Sequence, residues 1–267
     1  MDAWNDGKRP TTKSSYARLM AICALSGYRI DHGTNTAPSN IAKRINPGLY
    51  LEHALEATRT DAATPRDIRY HQAIGLICMT AMEVGNAFLV QRYLGIYHAA
   101  VAEQGLSDER RWPSDMCPIE RDERRRLYWH MYRLEVHMAM VMGHVVRCPE
   151  LQSLVAYPQS EEDDSAPGDF EWLSGWNFVT DLYRGLEHLL AKLRLRLLPN
   201  PQLRPHSVLS TTFLTDYDHD KDILAPLTST YKSLPERFKT AAPLSPSNIT
   251  QTAVVTRQLT SYALIYF

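Results

Sequence analysis

An excess of charge of either sign is missing from this chain: its 267 residues carry 29 Lys and Arg against 30 Asp and Glu. A domain that grips nucleic acid usually shows a strong basic bias, so direct DNA binding is not expected. Cysteine is scarce as well. Cys23, Cys78, Cys117 and Cys148 lie far apart and form no C-x-x-C pair, which removes a redox motif or a zinc knuckle from consideration. Three of the four sit in or beside apolar stretches, where a reduced thiol packs as a small hydrophobe. No apolar run approaches the roughly 20 residues needed to span a bilayer, and no membrane partner is expected. The opening, MDAWNDGKRPTTKSS, lacks the apolar centre of a secretory signal. The 12 glycines build neither a phosphate-cradling loop nor a dinucleotide fingerprint, and there is no G-x-S-x-G elbow. The expectation is a chain that is not an enzyme.

What the chain does have is helical periodicity. After a polar lead over 1–15, expected to be flexible, Leu19, Ile22, Cys23 and Ser26 recur at helical spacing, and Gly27 offers a stop. DHGTNTAPSNIAKRINPG reads as a loop and LYLEHALEATRT as a short helix. From Asp67 the pattern strengthens. Ile74, Ile77, Cys78, Ala81 and Met82 share one face of a helix ending near Gly85. Leu89, Tyr93, Ile96, Ala100 and Val101 share the face of another, begun at Asn86 and ended at Gly105. A turn that short predicts an antiparallel helical hairpin.

Next comes PIERDERRRLYWHMYRLEVHMAMVMGH, in which Leu127, Met131, Leu134, Met138 and Val141 predict a narrow buried stripe. The segment VRCPELQSLVAYPQSEEDDSAPGDFEW, with its prolines and acidic run, reads as a long exposed connection. Val179, Leu182, Leu186, Leu189 or Leu190, and Leu193 then predict an amphipathic helix stopped by Pro199, Pro201 and Pro205. A weaker helix spans about 218–230, interrupted by Pro226, and a last one follows a cap at Ser247 or Asn248. No alternating strand pattern occurs. The class is all-α, a helical-hairpin array forming one irregular domain.

The arginine run invites a phosphate-binding reading, but from Asp108 to Arg126 six acids offset six arginines. Glu120, Asp122 and Glu123 occupy the first helical turn, where acids favour the positive end of the helix dipole. Glu120 and Asp122 stand four residues before Arg124 and Arg126, the spacing that pairs charges on one face. The arginines are therefore read as architecture. His130, His137 and His144 repeat every seven residues, yet that repeat advances a helix by about 10.5 Å, too far for two imidazoles to share a zinc at about 2.1 Å each. DYDHDKD places Asp216, Asp218, Asp220 and Asp222 at calcium-loop spacing, but Lys221 stands where the loop needs glycine and Leu227 where it needs glutamate. EEDD at Glu161 invites comparison with the magnesium-binding helix of class I terpene cyclases, but SAPG, a helix breaker, follows it, and no second metal motif appears.

The order of these segments resembles the middle homology region of fungal zinc-cluster transcription factors. YARLMAICALSG is similar to an early helix of that family, and HQAIGLICMTAMEVGNAFLVQRYLGIYHAAVAEQGLS to its helical hairpin. PIERDERRRLYWHMYRLEVHMAMVMGHVVRCPE resembles its signature most specifically, with Glu120, Arg124, Arg125, Arg126, Leu127, Trp129, Tyr132 and Gly143 at matching places. VAYPQSEEDD and SLPERFK resemble later segments. Glu135 stands where the family has aspartate, and Gly143-His144-Val145 where it has Gly-Arg-Pro.

The resemblance implies a regulatory domain over 16–267, truncated at its C-terminal end, that controls transcription from the nucleus, with metabolic or secondary-metabolite pathways as the expected targets. It implies no cofactor in this chain, zinc being expected only in the six-cysteine DNA-binding module, which this sequence lacks. Other transcription-regulatory proteins or a small-molecule effector are the expected partners, with DNA engaged only indirectly. An interaction scaffold without a transcriptional role is the alternative. A third reading is a helical enzyme with its pocket among Trp129, Tyr132, Met138 and Met142.

Overall fold

The structure, a computed structural model, describes residues 12–32, 46–59, 67–159, 167–196, 219–235 and 238–239. Most of the N-terminal lead, the EEDD run, Asp216, Asp218, the three prolines after 198 and the C-terminal helix expected beyond Ser247 lie outside the described residues. Seven α-helices are described: α1 (Lys13–Asp31), α2 (Pro47–Thr58), α3 (Ile68–Glu83), α4 (Ala87–Gln104), α5 (Pro118–Met142), α6 (Pro167–Arg196) and α7 (His219–Ser233). Two 3-10 turns, Glu109–Arg111 and Glu150–Gln152, complete them. The described residues contain no strand, only one parallel bridge between Asp108 and Leu154. The fold is all-α.

Local chemistry sets these boundaries. Thr12 caps α1 by accepting from Ser15 N at 3.1 Å, so the helix starts three residues ahead of the predicted Tyr16. It also runs through Gly27, the predicted stop. A Cβ there would lie 2.8 Å from Pro47 Cγ, so this glycine permits a close approach of α2 instead of ending α1. Asp67 caps α3 and Asn86 caps α4, each through a side-chain oxygen on a backbone N–H. Gly105, at φ 65°, ends α4 in the left-handed conformation. The predicted hairpin is present, and α3 packs against α4.

The chain divides into two compact units: residues 1–138 with 147–157, and residues 139–146 with 158–267. In the first unit α1 packs against α2 and α3. Its core joins Ala21, Leu25, Leu51, Ile74, Ile77, Cys78, Val90, Leu94, Met131, Leu134 and Met138. The α5 stripe thus behaves as predicted up to Met138, whereas Val141 is exposed. In the second unit α6 packs against α7, and Phe178, Leu234 and Phe238 form a small cluster. Gly175 is required there, since a Cβ would come within 2.5 Å of the Phe238 ring. Helix α6 begins at Pro167, so PGDFEW belongs to a helix and not to the exposed connection. Of the stripe predicted on α6, Val179 is buried while Leu182, Leu189 and Leu193 are exposed. Pro226 lies inside α7; it kinks or weakens a helix without ending it here.

Candidate functional site

Helix α5 carries the residues singled out in the sequence, and its first turns are self-neutralised. Arg124 donates to Glu120 Oε1 at 2.9 and 3.1 Å, and Arg126 donates to Asp122 at 2.6 Å. Both i,i+4 pairs therefore form. Arg125 points elsewhere. It makes a fork to Glu109, Nε to Oε1 and Nη2 to Oε2, each at 2.8 Å. Glu109 Oε1 also accepts from Ala156 N at 2.7 Å. Burial opposes ionisation of Glu109, but the Arg125 fork, the Ala156 N–H and the charge of Arg121 outweigh it and lower its pKa. One carboxylate thus ties the 3-10 turn, α5 and the extended segment after it.

Trp129 reinforces that tie. Its indole N–H donates to Ala156 O at 3.0 Å, and its ring meets Tyr128, Tyr132 and Tyr157 edge-on at centroid distances of 5.5, 5.5 and 5.0 Å. Edge-to-face pairs of this kind add to simple area burial. Trp129 and Tyr132 are buried, as is Met138, while Met142 is exposed. Leu127 is half-buried against the core. Gly143, at φ 74°, follows the end of α5 and donates to Ala139 O at 3.0 Å. His130 and His137 are half-buried, and desolvation lowers both, His130 to about 3 with Arg133 and Arg29 adding to the effect. Among the described residues no three His, Cys, Asp or Glu side chains gather as metal ligands.

The most highly organised polar centre lies one turn beyond Tyr132, at Glu135. Its side chain is wholly buried, with 0% exposure. Oε1 accepts from Arg147 N at 3.0 Å and Arg147 Nε at 2.9 Å; Oε2 accepts from Arg147 Nη2 at 2.6 Å. His98 Nε2, from α4, lies 3.1 Å from Oε2, and His98 Nδ1 lies 3.1 Å from Cys148 Sγ. A carboxylate only accepts, so Nε2 carries a proton, and in the neutral imidazole Nδ1 is then the acceptor for the Cys148 S–H. Arg147 also reaches Gln91 Oε1 at 3.1 Å. Burial would raise the Glu135 pKa, yet hydrogen bonds from His98 and Arg147 prevail and bring it to about 2. The Cys148 thiol is pushed up to about 11 by burial and by the Glu135 charge, with Arg147 opposing.

Of these four residues the sequence singles out Glu135, and Cys148 only as one of four scattered cysteines. Its partners are 12, 37 and, through His98, 50 positions away along their respective links, beyond any local spacing rule. The available signal was a lone acid within the apolar face of α5, which must find a partner to be buried. That partner is Arg147, four residues past Gly143, so an arginine meets the α5 carboxylate although His144 and Val145 follow the glycine.

With this geometry in view, the family can be stated. A family model described as the fungal specific transcription factor domain matches residues 4–217, and the chain belongs to that family. That is a transcription factor domain family and not an enzyme family, and the chain is a regulatory region of that kind. The match stops short of the SLPERFK segment on which the resemblance also draws. No curated protein and no solved structure matches.

Proposed function

We propose that the chain controls the activity of a DNA-reading part of a fungal transcription factor without contacting DNA itself. It acts in the nucleus and responds to other transcription-regulatory proteins or to a small-molecule effector. The observation that carries this reading is the family match over 4–217. Its complement is the state of the α5 arginines: Arg124, Arg125 and Arg126 are each occupied by a carboxylate of their own chain, which leaves little charge for phosphate. Zinc is not required of these residues and belongs with the DNA-reading part. Metabolic or secondary-metabolite genes are the targets in this reading.

The test is to fuse the full chain to an unrelated sequence-specific DNA-binding domain and to measure a reporter bearing that domain's site. The expected outcome is reporter output that differs from that of the DNA-binding domain alone, while the unfused chain shows no salt-sensitive retention on DNA. Unchanged output together with salt-sensitive DNA retention by the unfused chain would overturn the proposal.

A further inference from the structure

Cys148, His98 and Glu135 stand in line as nucleophile, base and orienter. Sγ lies 3.1 Å from His98 Nδ1, and His98 Nε2 lies 3.1 Å from Glu135 Oε2. A thiol within hydrogen-bond reach of an imidazole that a third group holds in one tautomer is the arrangement by which a neutral nucleophile is activated. The thiol itself is half-buried and reduced, not sealed like Cys78. Glu135 is in contact with His98 and is itself paired with Arg147, and Tyr97 adds a ring contact to His98 at 5.9 Å. Arg147 meets Glu135 through three hydrogen bonds, and the carboxylate fixes the orientation of the imidazole.

We propose that Cys148 is a site of covalent modification by soft carbon electrophiles of the α,β-unsaturated carbonyl class, with His98 accepting the thiol proton. Sulfur attacks the β-carbon, forming an S–C bond as the carbon–carbon π pair moves to the α-carbon and its carbonyl. The S–H proton passes to His98 Nδ1 and from there to the α-carbon. Atoms and electrons balance with no oxidant or metal. At rest the thiol stays protonated, since burial and Glu135 hold it up. It therefore reacts through the imidazole and not as a standing thiolate. An adduct on Sγ removes the His98 contact, and because Cys148 adjoins Arg147 it pulls on the Glu135 lock as well. A role for this in regulation rests on the domain being regulatory, but the thiol chemistry does not; failure of one leaves the other standing.

The test uses the purified full chain and N-ethylmaleimide, with the extent of labelling followed at each cysteine by peptide mass spectrometry. Exposed Cys117 is the internal reference and sealed Cys78 the indicator of unfolding. In the folded wild type Cys148 is expected to be labelled. His98→Gln is expected to slow that labelling by about a hundredfold, the lower end of what positioned bases supply, with the Cys117 rate unchanged. Labelled chain is expected to melt at a lower temperature than unlabelled chain. Should His98→Gln expose Cys78, the wild-type pH profile decides instead. A base-assisted rate levels off far below the thiol's own ionisation near 11. A Cys148 rate that ignores His98, that climbs about tenfold per pH unit toward that ionisation, or that stays at zero while Cys117 is consumed overturns the proposal.

Discussion

Replacing Glu135 by glutamine keeps the shape and removes the charge. In the folded chain the carboxyl is held near 2 against an ordinary 4.5, and its side chain is fully buried. A depression of that size corresponds to about 3 kcal/mol of folding stability at neutral pH. An independent route gives a similar figure, since breaking a buried pair by altering one partner costs about 3–5 kcal/mol. The sign follows from the direction. A carboxyl depressed by folding contributes fully above its unfolded pKa of about 4.5 and loses that contribution as pH falls toward about 2. Urea unfolding of wild type and Glu135→Gln at pH 7 should therefore differ by about 3 kcal/mol, and the gap should narrow as pH drops through that window. Arg147→Ala should cost a comparable amount. The double variant should cost clearly less than both singles added, because the two side chains share one interaction. Equal midpoints at pH 7, or a gap independent of pH down to 2, would refute the account of Glu135 as an ionised, locked group.

Other perturbations test the architecture around α5. Arg125→Met should lower stability by about 1–3 kcal/mol, since it strips a fork from Glu109. Its neighbour Arg126→Met should cost under about 0.5 kcal/mol, because that pair is half-exposed; chemical denaturation that ranks the two the other way would contradict the assignment. Trp129→Phe keeps a ring but loses the N–H bond to Ala156, and a drop of about 1 kcal/mol is expected from urea midpoints. Gly105→Ala must hold a left-handed φ of 65° and bring a methyl within 2.5 Å of the Arg111 guanidinium. A loss of about 1–2 kcal/mol should appear as a lower melting temperature, and an unchanged melt would mean that α4 ends differently.

The features legible in the sequence were those set by neighbours along the chain. Asn86 and Gly105 bracket α4 because capping oxygens and left-handed glycines act over a few residues. The Glu120–Arg124 and Asp122–Arg126 pairs could be placed from a spacing of four. Gly27 shows the limit of such rules. A glycine can end a helix or let another one approach, and only the position of Pro47 decides between them. Leu182, Leu189 and Leu193 keep perfect helical spacing without being buried, since periodicity marks a face and not what covers it. The histidines that drew notice, His130, His137 and His144, are not the one that matters at Glu135. His98 lies on another helix, and its link to α5 spans 37 positions. Cys148 does not stand out among the four scattered cysteines for the same reason: the imidazole beside it is 50 residues away along the chain.

The Glu109 tie has a kinetic meaning. Its contact with Ala156 closes a ring over 47 positions, and the Asp108–Leu154 bridge closes almost the same ring beside it. Closing a loop of that length is entropically costly until the helix inside it exists. The ring is therefore expected to shut after α5 has formed, among the later steps of folding. In the reverse direction, the short segment around Ala156 is expected to peel away before the helices do, with its amide hydrogens exchanging ahead of those buried in α3 and α4 in a hydrogen-exchange measurement.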